Sequence, residues 1–369
     1  MNALALYDRL TEGRSRFLRV DELCLRAAEA GALPSSKDLE QEAARPQRDK
    51  QGLEKKQGEF LAEILGDPEA GMHLCHAMLL PLAPARFAEY DAKGEIALPG
   101  AHLKRVGKAA VLTIGNPRYL NAEDETTLEG METAVDLALL DPKTEVCVLR
   151  GDVVTHTKHA GKRIFGAGIN LTHLYEGRIR YLWYLIRDLG FVNKMFRGLA
   201  KPDASPEVDS IEKLWIAAVE GFAIGGHCQI LLTMDYILAA EDAYLTLPAR
   251  KEGIIPGASN LRLPRFVGDR IARQAIMAER RIDCASPEGR MICDEVVKKE
   301  SMDEAIARTV ERLTGSGVVS AAGNRRAFRA GEEPLDVFRR YMAVYAREQA
   351  YCHFSPALIA NLEKNWKVK

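Results

Sequence analysis

The chain has 369 residues, of which 47% are hydrophobic and 28% charged, and its formal net charge is −1. That balance is the composition of a globular protein; it excludes the basic excess of a nucleic-acid binder, and no stretch is apolar for long enough to span a bilayer. The length suits one domain with sizeable extensions.

At the N-terminus, Asp8 and Arg9 arrive too soon for a signal-peptide hydrophobic region, which predicts a cytoplasmic protein without a membrane partner. Residues 1–104 read as a helical extension, with apolar positions at helical spacing in Leu6, Leu10 and Phe17 and again in Leu61, Ile64 and Leu65. Pro46 and the charge-dense run 48–56 interrupt it, and the run reads as a solvated helix face. Seven cysteines, at 24, 75, 147, 228, 284, 293 and 352, are odd in number and scattered, as expected of reduced, buried thiols. The histidine pairs His73/His76 and His156/His159 lack the second half of a structural zinc site, so no metal is expected.

The period changes at residues 107–115, a short apolar run bounded by glycines and therefore a strand. A helix follows over 123–140, closed by Asp141 and Pro142, and then a strand over 145–150. Next come a first glycine turn, Ile164-Phe-Gly-Ala-Gly-Ile-Asn-Leu171, and a long helix predicted over 171–199. Residues 201–210, with Pro202 and Pro206, read as a loop. The apolar strand 214–219 runs into a second glycine turn, Gly221-Phe-Ala-Ile-Gly-Gly-His-Cys-Gln229, followed by a helix and a strand at 236–240. Beyond Pro256 the chain reads as mostly helical, with a break at Gly315 to Gly317. Alternating strands and helices predict parallel pairing in an α/β core. Each glycine turn looks like a strand end opening a helix, where backbone N–H groups lack intrahelical partners and can stabilise an oxyanion. Two such turns side by side would form one oxyanion hole.

Three blocks, taken in order, carry a resemblance: Leu120-Asn-Ala-Glu123, the 165–171 turn, and the segment 217–226 continuing into Ile255-Pro-Gly257. Together they resemble the crotonase (enoyl-CoA hydratase/isomerase) superfamily over roughly residues 105–300. The resemblance implies an α/β fold, a crotonase-like ββα spiral core over 105–280. The helical N-terminal extension would precede it, and a helical C-terminal region, 281–369, would form a trimer or a dimer of trimers. It implies an acyl-CoA thioester whose oxygen lies between the N–H groups of Ile169 and Gly226, with CoA along Ala167, Gly168 and Asn170. Lys158, Lys162 and Arg163 are near enough in sequence to meet phosphates by charge complementarity.

The departures are as informative. Hydratases of the family activate water with two glutamates, and those positions fall on Gln229 and Ala249, neither of which exchanges a proton at neutral pH. Simple hydration is therefore not expected, though Gln229 can still position water or the thioester. Extended over the whole chain, the resemblance implies a substrate pair of a dihydroxyarylacetyl-CoA and O₂, converted to the aryl glyoxylate and free CoA with no metal or organic cofactor. Glu123 and Arg187 are candidates for the ring hydroxyls, against the plainer readings of a helix-start carboxylate and an ion pair. Arg187 shares a helical face with Trp183 and Phe191. Ile169, Leu171, Ile254, Ile255 and Pro256 are candidates for an apolar O₂ recess or for ordinary core. His227 is expected to pack or hydrogen-bond. The group that removes the benzylic proton is not evident, and Glu252, three residues past Ala249, is a weak candidate. The same residues also fit a crotonase-type thioester hydrolase or decarboxylase that does not use O₂, and a non-catalytic oligomeric scaffold.

Overall fold

A computed structural model describes residues 2–315 and 317–366. Its centre is a seven-stranded sheet in which spatial order follows chain order: Glu95–Leu98, Ala101–Val106, Ala109–Ile114, Val146–Gly151, Leu214–Val219, Tyr236–Ala240 and Glu295–Val297. The first three strands are antiparallel, and from Ala109–Ile114 onward every pairing is parallel. Val146–Gly151 and Leu214–Val219 are buried along nearly their whole length, which explains their unbroken apolar runs: a parallel strand is covered on both faces. Because Val146 pairs with both Ala109 and Leu214, these three strands end together. The connections that leave this carboxyl edge carry both glycine turns, as open parallel sheets usually place their ligand sites.

A smaller sheet stands beyond that edge, with Phe222–Ile224 parallel to Tyr244–Thr246, itself antiparallel to Ile282–Asp283. The first glycine turn attaches to it. Gly166 N donates to Phe222 O at 3.1 Å, and Ile224 N donates to Gly166 O at 3.0 Å.

Four strand expectations and the 123–140 helix, observed as Glu125–Leu140, match the structure to within about two residues. Two do not. Residues 95–106 form a hairpin joined to the sheet, ending the helical run at Lys93. The predicted long helix over 171–199 is three helices, Leu171–Tyr175, Tyr181–Leu189 and Phe191–Arg197. Its first break is at Gly177, which has φ +78° and lies so close to the Arg45 carbonyl that a Cβ would approach to 2.3 Å. The N-terminal extension thus dictates a turn that apolar periodicity alone does not reveal. The 48–56 run is solvated at Arg48, Asp49 and Lys56, but Glu54 departs from it: it is buried, accepting from Tyr181 N at 3.2 Å, and burial lifts its carboxyl to about 7. At the expected break near residue 315, Ser316 lies outside the described residues.

Six helices make up the extension, Ala3–Leu10, Val20–Glu29, Ser36–Ala43, Lys55–Gly66, Pro68–Leu79 and Phe87–Lys93. It joins the core through a buried ionic cluster. Arg19 Nη2 donates to both oxygens of Glu132, at 2.7 and 2.8 Å, while Lys194 Nζ reaches Glu132 and Asp136, both at 2.7 Å. Asp136 also accepts from Leu82 N at 2.6 Å. On the other side Arg339, from the Leu335–His353 helix, donates to the carbonyls of Leu65 and Gly66. Removing one partner from a buried cluster leaves an uncompensated charge, so Lys194→Met should lower stability by about 3–5 kcal/mol in urea denaturation. A loss below about 1 kcal/mol would contradict this account of the docking.

Candidate functional site

Nearly every backbone donor of the first glycine turn is consumed. Ala167 N donates to Leu120 O at 3.1 Å, Gly168 N to Nδ1 of His227 at 2.9 Å, and Asn170 N to Glu123 O at 2.8 Å. In return Glu123 N donates to Gly168 O at 2.7 Å, and the Asn170 side chain caps the next helix by accepting from His173 N at 3.2 Å. Ile169 and Leu171 are the exceptions, with no acceptor for their N–H groups among the described residues; Leu171 is the first residue of its helix, and of the two only Ile169 lines the cavity described next. In the second turn Gly225, at φ +53°, donates to Thr246 O at 2.9 Å, and Gly226 opens the Gly226–Leu231 helix. As the first helical residue it has no intrahelical partner for its N–H, nor any other among the described residues. Ile169 and Gly226 both line one partly open cavity of about 20 Å³, room for about one water molecule.

His227 fastens the two turns to each other. Burial pushes its imidazole down to about 4, with Glu123 opposing and Arg187 reinforcing the shift, so the ring is neutral at pH 7. By accepting from Gly168 N it carries its proton on Nε2.

Arg187 stands behind both turns, 2% exposed, with all five guanidinium N–H groups committed. Nε donates to Glu123 Oε2 at 2.5 Å. Nη2 donates to Glu123 Oε1 at 2.9 Å and to Gly226 O at 2.8 Å. Nη1 donates to Asp188 Oδ1 at 2.7 Å and to Gln229 Oε1 at 2.9 Å. The rings of Trp183 and Phe191 lie 5.8 and 5.5 Å from its carbon. Burial opposes the guanidinium charge, but Glu123 and Asp188 outweigh it and hold its pKa above the ordinary arginine value. Burial likewise opposes ionisation of Glu123, and the Arg187 guanidinium outweighs it, keeping that carboxyl below the usual range. Glycine at 226 is a matter of space: a Cβ there would sit 2.7 Å from Glu123 Oε1 and 2.9 Å from Arg187 Nη2.

Ile254, Ile255 and Pro256 join Ile169 in the cavity wall, and Ile255 N is tied to Gln349 Oε1 at 2.8 Å. Leu171 is not in that wall; it opens the Leu171–Tyr175 helix and packs against the main core. Gln229 is in the wall, and because Arg187 can only donate, the amide presents oxygen to Arg187 and leaves Nε2 without a protein acceptor among the described residues. Glu123 lies behind Arg187 and is not among the lining residues.

The residues expected near CoA separate into two groups. Ala167 and Gly168 supply backbone at the turn, while Asn170 is occupied by its capping role and by a 2.9 Å bond to Asp124. Lys158 and Lys162 are exposed on the loop between strand and turn. Arg163 is half-buried, donates to Gly151 O at 2.8 Å and sits 3.6 Å from Glu220, so it serves the strand edge. Of the histidine pairs, His73 bonds the Tyr7 hydroxyl at 2.6 Å and His76 the Lys201 carbonyl at 2.8 Å. Burial lifts the thiols of Cys147 and Cys228 to about 12, so neither is a thiolate at neutral pH.

Tyr184, Asp188 and Tyr345 also line the cavity and were not singled out from the sequence. Tyr184 and Asp188 neighbour Arg187 on its own helix, a usable signal. Tyr345 comes from the C-terminal Leu335–His353 helix, and nothing local in the sequence points to it. Glu252, only a weak sequence candidate, is a lining residue too, 4% exposed, and its carboxyl has no hydrogen bond or ion pair among the described residues. Burial raises its carboxyl to about 7, partly offset by Lys251.

A family model for enoyl-CoA hydratase/isomerase matches residues 105–343. The (3,5-dihydroxyphenyl)acetyl-CoA 1,2-dioxygenase of Amycolatopsis orientalis is 48% identical over 354 residues, covering 95% of this chain and 81% of that protein. Carnitinyl-CoA dehydratase of Salmonella typhi is 29% identical over 243 residues, covering 65% and 85%. Among solved structures, an enoyl-CoA hydratase from Mycobacterium avium subsp. paratuberculosis superposes with a TM-score of 0.60 at 19% identity, over 73% of this chain and 97% of that one. The crotonase fold is thereby shown for the sheet, the glycine turns and the helices around them.

The Glu252 carboxyl keeps its proton to higher pH in the folded chain than in the unfolded one, so its contribution to stability is complete below pH 4.5 and lost as pH rises through about 7. Glu252→Gln should therefore gain stability relative to the parent chain as pH rises from 4.5 to 8, by about 3 kcal/mol. Denaturation at the two pH values checks this, and an equal difference at both would contradict it.

Proposed function

The chain belongs to the enoyl-CoA hydratase/isomerase family, and from that membership we propose that it is a dioxygenase converting 3,5-dihydroxyphenylacetyl-CoA and O₂ into 3,5-dihydroxyphenylglyoxylate and free CoA. The observation that carries the proposal is a pair of free N–H groups, on Ile169 and Gly226, in a cavity where Gln229 and Ala249 replace the proton-exchanging glutamates of hydratases. Such a site favours an enolate and does not activate water. The 48% identity to a protein bearing that activity, over 95% of this chain, supports the choice of substrate.

The chemistry follows from the substrate. Its benzylic CH₂ is acidified by the ring and by the thioester, and each N–H aimed at the developing enolate oxygen lowers the barrier by roughly 3 kcal/mol. The resulting carbanion reduces O₂ by one electron, and radical recombination forms a peroxide at Cα. The peroxide attacks the thioester carbonyl and expels CoA thiolate. Loss of the second Cα hydrogen then breaks the O–O bond, leaving one oxygen atom of O₂ in the ketone and the other in the carboxylate. Substrate carbon supplies every electron, the task a cofactor performs in other oxygenases.

In this reading the apolar wall of Ile169, Ile254, Ile255 and Pro256 receives O₂, whose size suits so small a cavity. The aryl ring needs more room, and its hydroxyls take over part of the Arg187–Glu123 pairing as the walls part. CoA lies along the backbone of residues 167–170, with Lys158 and Lys162 near its phosphates. The protein works as a trimer or a dimer of trimers, and the exposed Phe328 and Val319 of the Val318–Glu332 helix are apolar surface for such contacts.

Metal-stripped protein given 3,5-dihydroxyphenylacetyl-CoA should consume O₂ and release CoA one for one. CoA release without O₂ uptake would replace the dioxygenase by a hydrolase. Gly226→Pro removes one N–H at a position where a helix accepts proline, and its ring also presses on the Arg187–Glu123 pair, so turnover should be abolished. Undiminished activity in the folded variant would exclude Gly226 as a donor.

A further inference from the structure

Three buried carboxylates surround the reaction centre, and they are not equivalent. Glu123 accepts two bonds from Arg187, and Asp188 accepts one at 2.7 Å. Arg187 holds Glu123 below the usual carboxylate range, and Asp188, although burial lifts it above that range, has its carboxylate engaged by Arg187 and by the Tyr345 hydroxyl. Glu252 accepts no hydrogen bond and forms no ion pair among the described residues, yet lines the same cavity as Ile169 and Gly226 and is 4% exposed. A buried carboxylate without a partner costs free energy, an expense that packing does not explain.

Its position is fixed from both sides. The Ala249–Glu252 helical turn closes with Glu252 N on Pro248 O at 2.9 Å and Gly253 N on Ala249 O at 2.8 Å. Three residues apart, Ala249 and Glu252 share a face of that turn, and both line the cavity. From outside, the Pro356–Trp366 helix braces the turn: Asn365 Nδ2 donates to Lys251 O at 3.3 Å, and Lys251 Nζ lies 5.3 Å from the Trp366 ring centre.

We propose that Glu252 is the catalytic base, whose carboxylate removes the benzylic proton of the arylacetyl-CoA. The proposal rests on the substrate assigned above. The proton passes from Cα to the carboxylate, and the C–H electron pair moves onto the thioester oxygen between the Ile169 and Gly226 N–H groups. Glu252 is then a neutral acid, the form its enclosure favours. When the peroxide expels CoA thiolate, Glu252 returns the proton to that sulfur and is again a carboxylate. It can then take the second Cα hydrogen as the O–O bond breaks, and this proton leaves to solvent. Two C–H bonds are lost, one proton ends on CoA and one in water, and a single carboxylate serves both steps. Burial supports the role by lifting the carboxyl to about 7, near the optimum for a base working at neutral pH. Its facing neighbours, Lys251 on the same turn and the neutral phenol of Tyr184, do not remove it from that range.

The first proton transfer needs no O₂, so it can be read alone. In anaerobic D₂O, the intact protein should exchange the benzylic protons of 3,5-dihydroxyphenylacetyl-CoA, followed by proton NMR. Glu252→Gln, which keeps shape and removes basicity, should slow exchange about 10²-fold or more with unchanged affinity for the thioester. Glu252→Asp, which keeps the carboxylate but sets it back by one methylene, should retain intermediate exchange. Exchange at the parent rate in Glu252→Gln, beside normal one-for-one O₂ and CoA turnover in the parent, would overturn Glu252 and leave the dioxygenase reading intact. Loss in Glu252→Asp as complete as in Glu252→Gln would mean a structural role and overturn the proposal as well. A parent protein that neither exchanges protons nor consumes O₂ would overturn the substrate reading and this proposal with it.

Discussion

The five hydrogen bonds of one buried guanidinium hold the candidate site together. Arg187 reaches Glu123, whose own backbone is laced to both sides of the first glycine turn, and it reaches Gly226 and Gln229 in the second. Two connections that leave different strands are thereby brought to one fixed separation. A buried ion pair of this kind is weak evidence for net stability, since desolvation offsets most of the attraction. Its value here is positional: the free N–H groups of Ile169 and Gly226 can act only if they converge on one oxygen, and Arg187 and His227 remove the freedom to do otherwise. Glycine at 226 follows from that constraint, because any side chain would occupy the space of the guanidinium or of Glu123.

Arg187 is in turn positioned by the shell around it. Its helix, Tyr181–Leu189, packs beneath the N-terminal extension and the Leu335–His353 helix, with the Tyr181 hydroxyl on Ala346 O at 2.5 Å. The following helix, Phe191–Arg197, carries Lys194 into the Glu132–Asp136 cluster that Arg19 completes. The extension is therefore continuous with the support of the site, although it contributes no lining residue itself. Glu252 illustrates the opposite tendency. Its unpartnered carboxyl works against stability at neutral pH, and groups poised for proton transfer commonly carry such a cost.

Much of this was legible in the order of residues, for identifiable reasons. Runs such as Leu214–Val219 announce buried parallel strands because both faces need apolar side chains, and the glycine turns announce themselves because few other residues permit such close backbone approach. Ile169 and Gly226 emerge as a pair only through the family resemblance, whose blocks lie in the local sequence around each of them. The rest depends on distant contacts. The break at Gly177 answers to the carbonyl of Arg45, and the buried state of Glu54 answers to Tyr181 N. Tyr345 enters the cavity from a helix far along the chain. Leu171, apolar and adjacent to the turn, looked like a lining residue, but the helix starting at that point directs it to the core. Glu252 is only a weak candidate on sequence, because the sequence does not show which carboxylates Arg187 neutralises.

Polarisation of the thioester carbonyl is the common link between the Arg187 framework, the two free N–H groups and the enolate chemistry assigned to them. Its stretching frequency in anaerobically bound 3,5-dihydroxyphenylacetyl-CoA, measured by isotope-edited infrared difference spectroscopy, reports on that link directly. The account predicts a shift to lower frequency on binding to the intact protein. A carbonyl band that stays at its solution frequency at saturating protein would contradict it.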